Sequence, residues 1–243
     1  MERLSFLGYP VDNITKDDIL SFCQQAILNN THHYLAVQNA NKMYLSEKFP
    51  QVKEAIRNAS IILPENAINL GMRWLGKPLK QRNIGGVIIM EELLKFSENN
   101  SCSIYLLGAK EENLNKLVME IEKKYPKVKI NGYRNGYFNR TKEDLIVDEI
   151  SKLKPNFLFV GMGSPKQEFF IYKNFKKLNT NICLGVGGSF NVLAGLEKPA
   201  PSWSKYGLEW LYRSFMDPSK FKRYFIINSF FIYRFLKYII LRK

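Results

Sequence analysis

The feature that most constrains the fold of this sequence is a regular alternation of short apolar runs with longer helical patterns. Seven runs have the composition of buried strands, at residues 4–7, 34–38, 60–63, 103–107, 128–132, 157–160 and 182–186. Helical patterns fill the intervals, and one of them opens with a capping-box pair, Thr15 and Asp18. Such alternation predicts an α/β fold whose mainly parallel sheet carries helices on both faces, with ligands at the carboxyl ends of the strands.

Charge is concentrated at the C-terminal end of the chain. The 243 residues carry a net charge of +14, and residues 195–243 contribute half of it, with ten Lys or Arg and three Asp or Glu. This shift predicts a boundary between a domain of residues 1–194 and a basic, aromatic appendage of residues 195–243. A charge of this size predicts an anionic partner, which could be nucleic acid, a nucleotide or a lipid surface.

The three cysteines, Cys23, Cys102 and Cys183, form no Cys-x-x-Cys pair. Their spacing favours neither a disulfide framework nor a thiolate zinc site, and it indicates a reducing compartment.

A long helix is predicted over residues 221–241. One predicted face is apolar and holds Phe221, Phe225, Ile232, Phe235, Leu236 and Ile239. The opposite side is basic and holds Lys220, Arg223, Arg234, Lys237 and Arg242. The pattern is typical of a helix that lies in a membrane interface, and no run of about 18 uncharged apolar residues predicts a span. A core or dimer helix with a solvated face would give the same pattern, and single-stranded nucleic acid is a weaker alternative.

Glycine-rich turns follow several of the predicted strands. In residues 157–168, a buried strand runs into Gly161 and Gly163, and Pro165 suits the first turn of the next helix. Free backbone amides at such a junction can bind an anion, to which Lys166 would add charge and Gln167 a hydrogen bond to a sugar or base. Similar junctions occur at residues 185–190 and 107–110. Two such junctions in one sheet favour nucleotide binding, although tight packing turns would look the same.

Candidate catalytic residues also follow strands. Glu65 comes directly after an apolar run and could act as a general base, or it could simply favour the first turn of a helix. Asn39 follows another strand and could bind a hydroxyl or end a turn. Arg82 could stabilise a diphosphate or lie in solvent. The absence of an Asp-x-Asp motif and the presence of only two histidines predict that no metal or other cofactor is required.

Three ordered motifs resemble the WecG/TagA/CpsF family of bacterial glycosyltransferases. They are residues 161–168 (GMGSPKQE), residues 185–190 (GVGGSF) with Ala194-Gly195, and Pro199-Ala200-Pro201 followed by residues 207–213 (GLEWLYR). The resemblance covers essentially the whole chain. It implies a Rossmann-like catalytic domain and a C-terminal appendage that brings the enzyme to the cytoplasmic face of the cell membrane.

The reaction that the resemblance implies is metal-independent, inverting transfer from a UDP-sugar to a polyprenyl-diphosphate-linked sugar. Products would be wall teichoic acid linkage units or other surface polysaccharides. Self-association into a homo-oligomer is compatible with the resemblance, and nucleic acid is not an expected partner.

The expected site residues follow from the resemblance, from the strand–turn junctions and, for Lys220 and Arg223, from the basic residues that come after Arg213. The catalytic set is Glu65, Asn39 and Arg82. The expected nucleotide-sugar residues are Gly108, Gly161, Gly163, Lys166, Gln167, Glu168, Gly187 and Gly188. The expected lipid-diphosphate residues are Arg213, Lys220 and Arg223.

Two positions depart from the usual family pattern. Glu65-Asn66 stands where relatives have Asp-Gly, and Val37 stands where relatives often have Thr. These differences leave the donor sugar open between N-acetylmannosamine and a related hexose. They also leave open an alternative function, in which the chain is a membrane-recruited nucleotide-sugar-binding scaffold that does not catalyse transfer.

Overall fold

A six-stranded parallel sheet forms the centre of the protein. The computed structural model describes residues 1–81, 84–198, 201 and 209–241. The sheet strands are β3 (His33–Gln38), β4 (Ile61–Pro64), β5 (Ser103–Gly108), β6 (Lys129–Arg134), β7 (Phe157–Gly161) and β8 (Ile182–Gly185). They lie in the order β4-β3-β8-β7-β5-β6, and every neighbouring pair is parallel. The α/β prediction is therefore confirmed.

Helices cover both faces of this sheet. They are α1 (Lys16–Leu28), α2 (Ala40–Lys48), α3 (Pro50–Arg57), α4 (Asn66–Trp74), α5 (Gly86–Asn99), α6 (Glu111–Lys124), α7 (Glu143–Leu153), α8 (Lys166–Asn174) and α9 (Ser189–Leu193). The predicted capping box is present at the start of α1, where the Thr15 side chain accepts from the Asp18 backbone amide. Alternate residues of the central strands bury against opposite helical layers. In β3, Leu35 and Val37 belong to one apolar cluster, and Tyr34 and Ala36 belong to the other.

The first predicted strand lies outside the parallel sheet. β1 (Glu2–Phe6) pairs with β2 (Tyr9–Asn13) as an antiparallel hairpin, and the expectation that residues 4–7 start the α/β alternation is wrong. The turn is tight because Leu7 and Gly8 both have positive φ, 52° and 88°. Buried Asp12 anchors the hairpin, since its carboxylate accepts from the Ile62 amide at 2.7 Å and pairs with Arg3 at 2.8 Å.

Two helices lie near the C-terminal end of the sequence, α10 (Glu209–Met216) and α11 (Phe221–Leu241). The predicted long helix is confirmed, and it packs on the hairpin and on α2. Phe231 and Phe235 stack on Phe6, with ring centroids 5.9 and 6.3 Å apart, and Ile227 is also buried. Of the six residues on the predicted apolar face, five are exposed and form the outer face of the helix: Phe221, Phe225, Ile232, Leu236 and Ile239.

Two residues of α11 were assigned to the wrong environment. Phe235 is buried instead of lying on the free apolar face, and Arg234 faces the protein instead of a solvated basic side. The Arg234 guanidinium donates to the Leu7 carbonyl at 3.3 Å and lies 3.8 Å from the Glu47 carboxylate. The helix is apolar on two sides, and periodicity alone does not show which side packs on the domain.

The length of α11 bears on the expectation that the chain does not span a membrane, which stays a prediction. Residues Pro218–Leu241 form a helical segment of 24 residues that contains an 18-residue window with a mean hydropathy of 1.4, so by length and composition it could cross a bilayer. A single helix of this kind is weak evidence for a span, and here one of its faces is packed against the domain.

Candidate functional site

A cavity of about 450 Å³ lies at the carboxyl ends of the parallel strands and extends to the C-terminal helices. It brings together nine of the residues that the sequence selects: Asn39, Glu65, Gly163, Gln167, Gly187, Gly188, Arg213, Lys220 and Arg223. Because the strands are parallel, the turns that follow β3, β4, β7 and β8 meet at one edge of the sheet. α10 and α11 close the side of the cavity opposite the sheet.

The Glu65 carboxylate lies in this cavity and is hydrogen-bonded by Asn39. β3 and β4 are in register at Gln38 and Pro64, so the residues that follow these strands are neighbours. The Asn39 amide Nδ2 donates to Glu65 Oε2 at 2.8 Å, and the Asn39 Oδ1 caps α2 by accepting from the Lys42 backbone amide at 2.9 Å. The other Glu65 oxygen lies 3.5 Å from the Gly86 amide at the start of α5. The carboxylate is thus held in a fixed orientation, while Arg82 lies outside the described residues.

Gln167 joins the two glycine-rich turns. Its Oε1 accepts from the Gly187 amide at 3.0 Å, which ties the start of α8 to the turn after β8. Gly163 and Gly187 have positive φ, 74° and 54°, which glycine adopts without strain. Space for a ligand remains beside Gly163 and Gly188, where an added Cβ would meet no atom within 4 Å.

Four predicted nucleotide-sugar residues do not line this cavity. Gly108 and Gly161 serve strand packing, because a Cβ on Gly108 would lie 2.4 Å from the Gly161 carbonyl carbon, and one on Gly161 would lie 2.6 Å from Phe190. Lys166 points to the other side of α8, where its ammonium lies 5.5 Å from the Tyr137 ring centroid and it lines a second cavity of about 570 Å³. Glu168 is fully buried.

The predicted lipid-diphosphate residues form the basic wall of the main cavity. Arg213 on α10 pairs with Glu197 at 3.1 Å, and the Lys220 ammonium lies 3.7 Å from the same carboxylate. Arg223, near the start of α11, lies 5.9 Å from the Tyr224 ring. Guanidinium and ammonium groups grouped in this way are suited to binding a diphosphate.

Comparison with known proteins identifies a family. The sequence pattern described as "Glycosyl transferase WecG/TagA/CpsF family" matches residues 4–243. The chain belongs to this family. Two relatives share one name, N-acetylglucosaminyldiphosphoundecaprenol N-acetyl-beta-D-mannosaminyltransferase. The relative from Staphylococcus aureus (strain MW2) is 30% identical, with 88% of this chain and 85% of the relative covered. The relative from Bacillus subtilis (strain 168) is 34% identical, with 73% of this chain and 69% of the relative covered. As a member of the WecG/TagA/CpsF family, this protein is a glycosyltransferase.

The structure of this WecG/TagA/CpsF member adds cavity residues that sequence reasoning missed. Glu197 faces the basic wall, and Asn191 on α9 donates to it at 3.2 Å. Trp210 and Asn228 also line the cavity from α10 and α11. Lys42 does so from the first turn of α2, where a cation is unfavourable beside the helix dipole. A lysine in the first turn of a helix is a sequence signal that could have marked Lys42 as a site residue. Glu197 and Asn191 carry no such signal in the sequence.

Within residues 1–81, 84–198, 201 and 209–241, no group of three or more His, Cys, Asp or Glu side chains could hold a metal ion. Metal independence of this glycosyltransferase remains a prediction.

Proposed function

We propose that this chain transfers N-acetylmannosamine or a related hexose from a UDP-sugar to a polyprenyl-diphosphate-linked N-acetylglucosamine, with inversion and without a metal ion. The name that the two relatives share supports the acceptor and the sugar. The observation that carries the proposal is the oriented Glu65 carboxylate, which shares one cavity with the glycine-rich turns and the basic wall. The product would enter the synthesis of teichoic acid or another surface polysaccharide.

In the proposed reaction, Glu65 takes the proton of the acceptor hydroxyl. The hydroxyl oxygen forms a bond to the anomeric carbon of the donor as the bond from that carbon to the UDP oxygen breaks. The bonding electrons leave with UDP. A single displacement of this kind inverts the anomeric carbon and requires one carboxylate. Asn39 keeps the carboxylate aimed into the cavity.

The two ends of the cavity would bind the two substrates. Gly163, Gln167 and the Gly187-Gly188 turn would hold the nucleotide end of the donor with backbone and amide groups. Arg213, Lys220 and Arg223 would bind the acceptor diphosphate on the opposite wall. The lipid tail would then leave the cavity along the C-terminal helices.

The free face of α11 supports recruitment to an anionic membrane surface. The helix keeps its inner face packed on the hairpin and exposes a row of apolar side chains on its outer face. In this packed position we propose that α11 lies in the bilayer interface instead of crossing the bilayer. A peripheral position on the cytoplasmic face would place the cavity beside a lipid-linked acceptor.

The test is a reconstitution with a panel of UDP-sugars and a soluble analogue of polyprenyl-diphosphate-linked N-acetylglucosamine. UDP release and glycosylated product are measured with and without EDTA. Product from one donor that resists EDTA is the expected result, and its anomeric configuration reports inversion. Binding of UDP-sugars without product from any donor would instead support the non-catalytic scaffold. Loss of product in EDTA would contradict metal independence alone.

A further inference from the structure

An ion pair lies buried directly behind the main cavity. The Lys42 ammonium is 3.0 Å from Glu168 Oε1, and the two side chains are 4% and 0% exposed. Burial of two charges costs several kcal/mol per ion, so a buried pair does not by itself stabilise a fold. Its presence beside a cavity therefore points to a role other than stability.

Glu168 sets the orientation of Gln167. The same Oε1 accepts from Gln167 Nε2 at 2.7 Å and from the Ser164 hydroxyl at 3.1 Å. An amide side chain carries its donors on nitrogen and its acceptor on oxygen, so a carboxylate attracts the nitrogen and repels the oxygen. With its nitrogen fixed on Glu168, Gln167 turns its oxygen to the Gly187 amide. The carboxylate thus determines which group of Gln167 faces the turn after β8.

Lys42 acts on this arrangement through Glu168. The Lys42 nitrogen is inaccessible to solvent and makes no aligned hydrogen bond to the described residues, so it does not reach a ligand in the cavity itself. Among those residues, it is the one cation within 4.0 Å of Glu168.

We propose that Lys42 and Glu168 are positioning residues of the donor site. Lys42 pairs with the Glu168 carboxylate and holds it in place, Glu168 fixes the Gln167 amide, and Gln167 holds the Gly187 turn in the conformation that binds the nucleotide. The inference rests on the proposed function, because it assigns this turn to the donor. It also connects α2, which is capped by Asn39, to the turn on the far side of the cavity.

The test compares UDP affinity, measured by calorimetry, with the melting temperature. Glu168→Gln removes the carboxylate that fixes the orientation of the Gln167 amide. UDP affinity should fall, and the donor KM should rise, roughly tenfold to a hundredfold. The acceptor KM should stay unchanged. The double variant Lys42→Met, Glu168→Leu removes both charges at similar volume, so its melting temperature should fall less than that of Glu168→Gln, which leaves the Lys42 charge unpaired, while UDP affinity remains weak.

Further variants keep the test decisive if Glu168→Gln does not fold. Glu168→Asp keeps the charge but withdraws the carboxylate from Gln167, so it should fold and should weaken UDP binding. Glu149→Gln is the matched control. It removes the partner of Arg134 and Tyr105 at the far edge of the sheet, and it should leave UDP affinity unchanged.

Wild-type UDP affinity in Glu168→Gln, in Glu168→Asp or in the double variant would overturn the inference. A protein that binds UDP but never turns over would contradict the proposed transfer and not the positioning role. A wild-type protein that binds no UDP would overturn both.

Discussion

The amide nitrogen of Asn39 donates to Glu65 Oε2 at 2.8 Å, while the oxygen of the same side chain caps α2. One side chain thus orients the candidate base and begins a helix, and substitutions can separate the two roles. Asp at position 39 retains the cap but places a second carboxylate beside Glu65. Ala removes both interactions.

Glu65→Gln should lower turnover by about 10²- to 10⁴-fold, because the neutral amide does not take a proton from the acceptor hydroxyl. UDP affinity should stay within about twofold of wild type, since the glycine-rich turns are unchanged. Initial rates and calorimetry on the same preparation check both statements. Retained turnover would remove Glu65 from the role of base.

Asn39→Ala should destabilise the fold by about 1 kcal/mol through loss of the N-cap, and it should also lower turnover. Asn39→Asp should keep the N-cap, because Asp is an equally good cap, but repulsion between its carboxylate and Glu65 should lower the unfolding free energy at neutral pH. Its added negative charge favours protonation of the carboxylate pair, so the acidic limb of the pH–rate profile should move to higher pH. An unshifted profile in Asn39→Asp would show that the two side chains are not coupled during turnover.

The sequence predicted the sheet, its strands and the position of the cavity because these follow from periodicity and from parallel topology. Six of the seven predicted runs form the six sheet strands in the structure. The hairpin was not predicted, because its second strand, Tyr9–Asn13, contains Pro10, Asp12 and Asn13, which have low strand propensity. A tertiary contact stabilises this strand, since the Asp12 carboxylate accepts from the Ile62 amide of β4.

Site residues were predicted where a sequence motif dictates the backbone geometry. They were missed where only tertiary contacts bring the side chains together. Gly163 and Gln167 line the cavity as expected. Gly161 belongs to the same motif but packs on Phe190, since a glycine pattern does not separate close packing from ligand approach. Lys42 and Glu168 are 126 positions apart in sequence, and their pairing depends on how α2 and α8 pack.

Glu197 should compete with the acceptor diphosphate for the basic wall. Its carboxylate neutralises Arg213 and approaches Lys220, and both pairs are partly exposed. Glu197→Gln should therefore lower the acceptor KM by a few-fold, and Arg213→Ala should raise it by about tenfold, with the donor KM unchanged in both. Rates measured against acceptor at saturating donor give the two constants. Lys124→Ala removes an exposed ion pair on α6 and serves as the control. A raised acceptor KM in Glu197→Gln would mean that Glu197 positions the cations instead of competing for them.

The three cysteine thiols should be unreactive in the folded protein. Burial, and then the nearby Cys102, raise the pKa of Cys23 to about 12, and burial also raises the pKa of Cys102 and Cys183. The nucleophile is the thiolate, which is scarce at pH 8 when the pKa is raised. Alkylation followed by mass spectrometry should find little label at pH 8 in buffer and three labels in guanidinium chloride. Fast labelling of Cys23 or Cys183 in buffer would contradict their burial.

The two faces of α11 should respond differently to substitution. Phe235 is 7% exposed between Phe6 and Trp74, so Phe235→Ala should destabilise the fold by about 3–5 kcal/mol. Leu236, its neighbour in sequence, is 53% exposed, so Leu236→Asp should leave the unfolding free energy within about 0.5 kcal/mol of the wild-type value.

In a flotation assay with anionic vesicles, Leu236→Asp should bind much less than wild type, because a charge on the outer face opposes insertion into the interface and is repelled by the lipid. Leu28→Asp, at an exposed position on α1, is the matched control and should float as wild type does. Undiminished flotation of Leu236→Asp would show that the outer face of α11 does not bind the membrane.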